Sequence, residues 1–304
     1  MAEVVRARLH VATGVVPAAL TPMDDHGSPN VTLLEQHCRR LLAQGCSSIL
    51  ILGTTGEANS FTTAERRAIL ENVVGGGIPS DKLIVGTGCC AVGDTVELTR
   101  HALSLGVERV LMLSPFFYKN VTDQGIFDAF ASTIERVNDD RLRLFLYLIP
   151  QMTGIEMSAD LVERLHQEFP TIVAGLKDSS GNWSSTETLC RRLGASMYVM
   201  VGTEALLLRA MHAGASGCIS ATANVAAQSI IALYDKRNDP SAASIEHGVN
   251  ATRVAFEAFP LIPALKTYMA LTSGVSTWRN VRPPLAQLTP TETSQLLSRV
   301  QELR

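Results

Sequence analysis

The sequence predicts a (β/α)8 TIM barrel, an α/β fold, with a C-terminal helical extension, and three observations carry that expectation. Short apolar, β-branched segments recur along the chain, each followed by a stretch with helical spacing, the pattern left by parallel strands joined through crossover helices. The turn after the first segment, Thr21-Pro22-Met23-Asp24, lacks the glycine-rich phosphate loop of an open doubly wound sheet. Beyond Ser220 the alternation stops and helical patterns continue alone.

In chain order, strands are predicted from Val15 to Leu20, Ser48 to Leu52, Leu83 to Gly86 and Arg109 to Leu113. The remaining four run from Leu144 to Leu148, Ile172 to Leu176, Tyr198 to Val201 and Gly217 to Ser220. Thr32 with Glu35, and Thr62 with Glu65, fit the capping box that satisfies orphan amides at a helix start. The extension is broken near Asn238-Asp239-Pro240 and between Pro260 and Pro263. Its last helix is predicted at Thr289-Pro290-Thr291-Glu292, a cap threonine, a proline at the first helical position and a glutamate three residues after the cap. The expected division is a catalytic barrel over 1–222 and a helical domain over 223–304. No Gly/Ser linker separates them, so the two are expected to pack together.

Composition narrows the partner. Of the 304 residues, 46% are hydrophobic, enough to build a large core and to exclude a disordered chain. Lys+Arg 26 against Asp+Glu 29 leaves a formal charge of -3, which argues against nucleic acid or an anionic membrane as the main partner. No apolar stretch approaches the roughly 20 residues that span a bilayer. Met1 to His10 carries Glu3, Arg6 and Arg8 among its apolar residues, so a soluble, unexported, cytoplasmic protein is expected. The six cysteines contain no CxxC and the seven histidines are scattered, so neither a zinc site nor another metal site is expected. The ligand is expected to be small.

Function in such a barrel sits at the carboxyl ends of the strands. Lys177 is the sharpest signal there, because it closes an apolar strand. Lys82 instead precedes its strand, Lys119 lies in a loop, Lys236 in a polar turn and Lys266 in the extension. An amine in an apolar barrel mouth loses solvation of its charged form and becomes a nucleophile that condenses with ketones. A structural pairing of Lys177 with Asp178 or Glu204 is the competing reading. Gly53-Thr54-Thr55-Gly56-Glu57 brings backbone amides and two hydroxyls together before a helix, which suits a carboxylate; a tight turn with capping threonines is the alternative. Tyr147 interrupts an aliphatic strand and is either a proton shuttle or a core tyrosine with a satisfied hydroxyl. Phe116-Phe117-Tyr118 reads as a pocket wall or a subunit contact.

Taken together, Gly53 to Glu57, Tyr147 with Pro150 and Thr153-Gly154, Gly175-Leu176-Lys177-Asp178, and Ile219 to Asn224 resemble the dihydrodipicolinate synthase and N-acetylneuraminate lyase family. The resemblance runs from about Gly14 to Leu288 and includes Pro263, Lys266 and Arg282-Pro283-Pro284-Leu285. It implies a class I enzyme that forms a Schiff base with pyruvate or another 2-oxo acid and needs no metal or organic cofactor. Lys177 would form the imine, Thr54 and Thr55 would hold the carboxylate, and Tyr147 would move protons. Gly202 and the main-chain carbonyl of Ile219 would line the imine site. A homotetramer built as a pair of dimers is implied as well, with Phe116, Phe117 and Tyr118 near the tight contact.

Two departures from that family bear on the second reactant. Synthases of the family usually carry two tyrosines after the strand-four proline, the second completing a proton relay; here Phe116 and Phe117 follow Pro115, and Tyr118 would substitute only if the loop shifted. Where synthases place an arginine for the carboxylate of aspartate semialdehyde, this chain has Met152, which cannot make a bidentate carboxylate pair. Sialic-acid lyases keep a tyrosine at the position of Phe117 and paired acidic residues where this chain has Thr203-Glu204-Ala205. Glu204 is left to bind one polyol hydroxyl or to serve as a helix-start carboxylate. The resulting expectation is reversible cleavage of a 2-keto-3-deoxy sugar acid to pyruvate and an aldehyde. A dehydratase of a related 2-oxo acid, 4-hydroxy-tetrahydrodipicolinate synthase and a noncatalytic ligand-binding homologue are the alternatives.

Overall fold

A computed structural model of the protein describes residues 13–303; the amino-terminal stretch Met1 to His10, read above for its charges, and Arg304 lie outside the described residues. Eight strands form one parallel sheet: β1 (Gly14–Pro17), β2 (Ile49–Ile51), β3 (Leu83–Gly86), β4 (Arg109–Leu113), β5 (Arg143–Leu148), β6 (Val173–Asp178), β7 (Tyr198–Val201) and β8 (Gly217–Ser220). Their spatial order is β1-β8-β7-β6-β5-β4-β3-β2. The two ends of that order meet where Ala18 bridges Leu50 and the Ala19 amide donates to the Leu50 carbonyl at 2.8 Å, which closes the barrel.

Helices alternate with the strands: α1 (Val31–Ala43), α2 (Thr63–Gly75), α3 (Val92–Ser104), α4 (Asp123–Val137), the single turn α5 (Pro150–Thr153), α6 (Ala159–Glu168), α7 (Trp183–Leu193), α8 (Leu207–Ala213) and α9 (Ala223–Asp235). Beyond them lie α10 (Ala242–Glu257), α11 (Leu261–Ser273) and α12 (Pro290–Gln301).

The strand alternation sorts side chains into two apolar layers. Val110 and Met112 of β4, and Leu144 and Leu146 of β5, join the layer between sheet and helices. Leu111, Phe145 and Tyr147, one residue out of phase, join Val16, Leu50, Ile84, Met200 and Ile219 inside the barrel. Both strand faces are therefore dry, which is why these segments read as near-continuous apolar runs. Gly175 leaves room for this filling, since a Cβ there would stand 2.5 Å from the Phe145 ring.

Two local expectations are corrected. The cap of α1 is Asn30, whose side chain accepts from the Leu33 amide at 3.0 Å, and not Thr32, which lies inside the helix. Asparagine is as strong an N-cap as threonine and comes first along the chain; Glu35 turns instead to Arg39, four residues on, at 2.8 Å. The first strand stops at Pro17, short of the expected Leu20. The boxes at Thr62 with Glu65 and Thr289 with Glu292 are both formed.

The expected division at 222/223 falls between β8 and its own helix. Ala223, Ala227, Ile230 and Leu233 of α9 lie in the outer layer of the barrel, and α9 packs on β1. The helices after it have a separate core of Phe256, Ala264, Leu265, Met269, Trp278 and Leu296, joined to the barrel rim through Leu20. Helices α10 and α11 meet at a bend of 104°, where Pro260 starts the second of them. No single helix among the described residues is long and apolar enough to cross a membrane.

Asn224 fastens the rim. Its Oδ1 accepts from the Leu20 amide at 3.0 Å and meets His37 Nε2 at 2.7 Å, while Nδ2 donates to the carbonyls of Ala18 and Ala221, each at 2.7 Å. Burial pushes the His37 imidazole down to about 4, against the opposing effect of its bond to Asn224.

Candidate active site

Strands β5 and β6 run in register with Tyr147 beside Lys177, so both side chains rise at the carboxyl end of the barrel. Lys177 Nζ lies 3.3 Å from the Tyr147 hydroxyl and donates to it, and Thr54 Oγ1 stands 3.4 Å from the same hydroxyl. Lys177 and Tyr147 are buried. Burial pushes the Tyr147 phenol up, but the charge of Lys177 and hydrogen bonds with Thr54, Ser179 and Lys177 outweigh it and hold the phenol below its ordinary value. A phenol so placed gives up a proton more readily than one in water.

Among the described residues, neither Asp178 nor Glu204 pairs with Lys177. The Asp178 carboxylate accepts from the Ser180 amide at 2.9 Å and from the Thr186 hydroxyl. Glu204 accepts from Ser220 Oγ at 2.6 Å and pairs with Arg253 at 3.0 Å. The competing, purely structural reading of Lys177 thus has no partner here.

The threonine loop is bracketed by two non-glycine residues in the left-handed region, Leu52 at φ 55° and Glu57 at φ 56°. That conformation costs energy and persists only where surroundings hold it. Thr21 Oγ1 donates to the Gly56 carbonyl at 2.8 Å, and a Cβ on Gly56 would fall 2.9 Å from the Ala19 carbonyl, so the chain approaches too closely for a side chain. The buried Glu57 carboxylate takes an ion pair from Lys266 of α11 and accepts from the Arg282 amide at 3.1 Å. Lys266 also donates to the Asn280 carbonyl at 2.7 Å, and burial pulls its pKa down against the opposing pull of Glu57. Arg282 binds Glu65, donates to the carbonyls of Gly27 and Ser60 at 2.9 and 2.8 Å, and lies over the Phe61 ring. Its hydrogen bond holds the Glu65 carboxyl down to about 2.

Thr54, Thr55, Tyr147, Lys177, Gly202 and Met152 all line one cavity of about 660 Å³. Gly202 is forced to be small, because a Cβ there would stand 1.9 Å from Ser179 Oγ. Four other predicted site residues do not line that cavity. Gly53 borders a small recess behind Thr54 and Tyr147, and Ile219 is packed inside the barrel. Glu204 is buried with its carboxylate on Ser220 and Arg253. Phe117 is 71% exposed and meets Tyr118 edge-on, with ring centroids 5.4 Å apart. Lys119 donates to the carbonyls of Phe116 and Thr153, which pins this loop with Tyr118 turned outward.

The sequence reading missed Arg253 and Glu257, which reach the cavity from α10, and Gln151, whose amide donates to the Ser179 carbonyl at 2.7 Å on the rim. The spacing of Arg253 and Glu257, four apart on one helix, signalled an ion pair; that this helix faces the barrel mouth was not signalled. Among the described residues, no group of three or more His, Cys, Asp or Glu could hold a metal ion.

The profile of the Dihydrodipicolinate synthetase family matches residues 11–303. An uncharacterized DapA-like lyase of Chloroflexus aurantiacus is 32% identical over 287 residues, covering 93% of this chain and 94% of that protein. A 4-hydroxy-tetrahydrodipicolinate synthase of Thermus thermophilus is 32% identical over 296 residues, with 95% of each chain covered. The crystal structure of dihydrodipicolinate synthase from Agrobacterium tumefaciens superposes with a TM-score of 0.89 at 33% identity, covering 96% of this chain and 99% of that one.

Proposed function

This chain belongs to the dihydrodipicolinate synthetase family, a family of carbon–carbon lyases, and on that premise we propose that it is a class I aldolase acting on a 2-oxo acid through an imine on Lys177. One observation carries the reading: an amine, a phenol and a threonine hydroxyl converge within 3.4 Å of one another in series at the mouth of the barrel.

In the cleavage direction, Lys177 Nζ attacks C2 of a 2-keto-3-deoxy acid, and loss of water leaves an iminium. Thr54 and Thr55 hold the C1 carboxylate. Tyr147, as phenolate, takes the proton of the C4 hydroxyl while the C3–C4 bond breaks, its electron pair moving into the iminium to give an enamine and releasing an aldehyde. The phenol returns the proton to C3, and hydrolysis frees pyruvate and the amine. The protein is restored, and no metal or organic cofactor takes part. From the family resemblance we propose further that the protein is a cytoplasmic homotetramer, with the exposed Phe117 and Tyr118, and Phe116 beside them, packed at a subunit contact in place of a relay.

The test is intact mass after incubation with pyruvate and borohydride. A pyruvyl adduct on the native protein and none on Lys177→Ala is expected; an adduct on both, or on neither, sinks the imine. A second reading, condensation of pyruvate with aspartate semialdehyde, is favoured by what the Thermus and Agrobacterium relatives are named for. Met152 argues against it, because a thioether leaves that aldehyde's carboxylate without a guanidinium at this position. Consumption of aspartate semialdehyde in preference to hydroxylated aldehydes would reverse the order of the two.

A further inference from the structure

The wall of the cavity beyond the imine residues comes in part from α10. Arg253 and Glu257 both line it, their side chains 12% and 47% exposed. Arg253 Nη1 donates to Glu204 Oε2 at 3.0 Å, and Nη2 pairs with Glu257 Oε1 at 2.6 Å. Glu204 is itself held by Ser220 Oγ at 2.6 Å, so the guanidinium is seated from behind by a buried carboxylate that does not line the cavity. What the cavity meets is a fixed cation with an accessible carboxylate one helical turn along.

The charges decide what suits that wall. Two carboxylates against one guanidinium give a net charge of -1, which repels a second carboxylate. A hydroxyl both donates and accepts, so adjacent hydroxyls can give hydrogen bonds to Glu257 and take them from Arg253. A bare alkyl chain would bury part of the pair without replacing its water.

We propose that Arg253 and Glu257 form the subsite that recognises adjacent hydroxyls on the aldehyde half of the substrate, so that the keto acid is hydroxylated and uncharged at its far end. The proposal rests on the imine reading above. Glu257 is the contacting acceptor; Arg253 is both donor and the group that fixes Glu257.

The test uses three six-carbon 2-oxo acids: 2-keto-3-deoxygluconate, 2-oxohexanoate and 2-oxoadipate, which end in hydroxyls, alkyl and carboxylate. Each is titrated into the full-length protein with borohydride, and the concentration for half-maximal labelling of Lys177 is read by intact mass, intact and cleaved adducts being counted together. The native protein is expected to favour the hydroxylated acid over 2-oxohexanoate by about tenfold, one to two hydrogen bonds' worth. Glu257→Leu should collapse that ratio to near unity, with Glu257→Gln between the two. Because the ratio is taken within each protein, a general loss of imine formation cancels. Arg253→Lys, which keeps a charge for Glu204, is the second variant and should lower the ratio as well. Equal labelling by all three acids, a preference for 2-oxoadipate, or an unchanged ratio in Glu257→Leu would overturn the subsite while leaving the imine standing. Absence of any adduct, with pyruvate included, removes the imine reading and the subsite with it.

Discussion

Lys266 of α11 donates to the Glu57 carboxylate at the end of the threonine loop, an ion pair between residues 209 positions apart with side chains 0% and 1% exposed. The helical extension thereby holds the loop that carries Thr54 and Thr55. Removing one partner leaves a buried charge alone, which costs far more than the pair itself contributes.

Lys266→Met is therefore expected to destabilise the protein by about 3–5 kcal/mol. Urea unfolding reads this directly. Glu57→Met combined with Lys266→Met should recover part of the loss, because no lone charge remains. A single variant that unfolds at the native midpoint would show that the pair does not support the loop.

Tyr147→Phe keeps the ring beside Lys177 and deletes the hydroxyl that faces both Lys177 and Thr54. Turnover should fall by about a hundredfold to ten-thousandfold, the usual contribution of a positioned proton shuttle. Borohydride trapping with pyruvate should persist, since imine formation needs the amine. Full turnover in this variant would remove Tyr147 from the proton path.

The imidazole of His37, at about 4 in the folded chain and 6.5 as its ordinary value, makes stability depend on pH. The folded state disfavours the charged form, so its contribution is complete above about pH 6.5 and declines as pH falls toward 4, where the unfolded chain takes up a proton that the folded chain does not. The total loss from this group is on the order of 3 kcal/mol. Urea midpoints at pH 7 and pH 4.5, compared between the native protein and His37→Gln, isolate it: the variant should show the smaller drop.

Gly202→Ala forces a methyl group to within 1.9 Å of Ser179 Oγ and 2.9 Å of Ser179 Cα. Ser179 is a hydrogen-bond partner of Tyr147, so its displacement should raise the phenol's pKa as well as cost about 1–3 kcal/mol of stability by overpacking. The pH–rate profile of the variant should shift its phenol limb upward. An unshifted profile would place Ser179 outside the Tyr147 network.

Much of the fold was legible because a barrel strand has no wet face. The predicted bounds of β3, β4, β7 and β8 coincide with those observed. The start of α1 falls two residues before the expected cap because Asn30 and Thr32 both suit that position, and Asn30, met first along the chain, takes the Leu33 amide. In the site, Thr54, Thr55, Tyr147 and Lys177 were legible because strand ends converge in this architecture. Arg253 and Glu257 were not: the breaks on either side of α10 are marked by Pro240 and Pro260, but the direction taken at each, 104° at the second, is not encoded by periodicity. Glu204 stayed open between a polyol ligand and a helix-start carboxylate, because sialic-acid lyases carry paired acidic residues after the glycine at the position of Gly202; the arginine that claims it lies 49 residues away.

The barrel is a ribbon of eight strands clasped at one seam, and β2, which ends in the threonine loop, is one side of the clasp. Lys177 stands on β6, four strands from β2 in the spatial order. A keto acid held at one end by Thr54 and at the other by Lys177 would act as a crosswise tie across the open end of the ribbon, so that occupancy of the mouth and the staying power of the seam rise together.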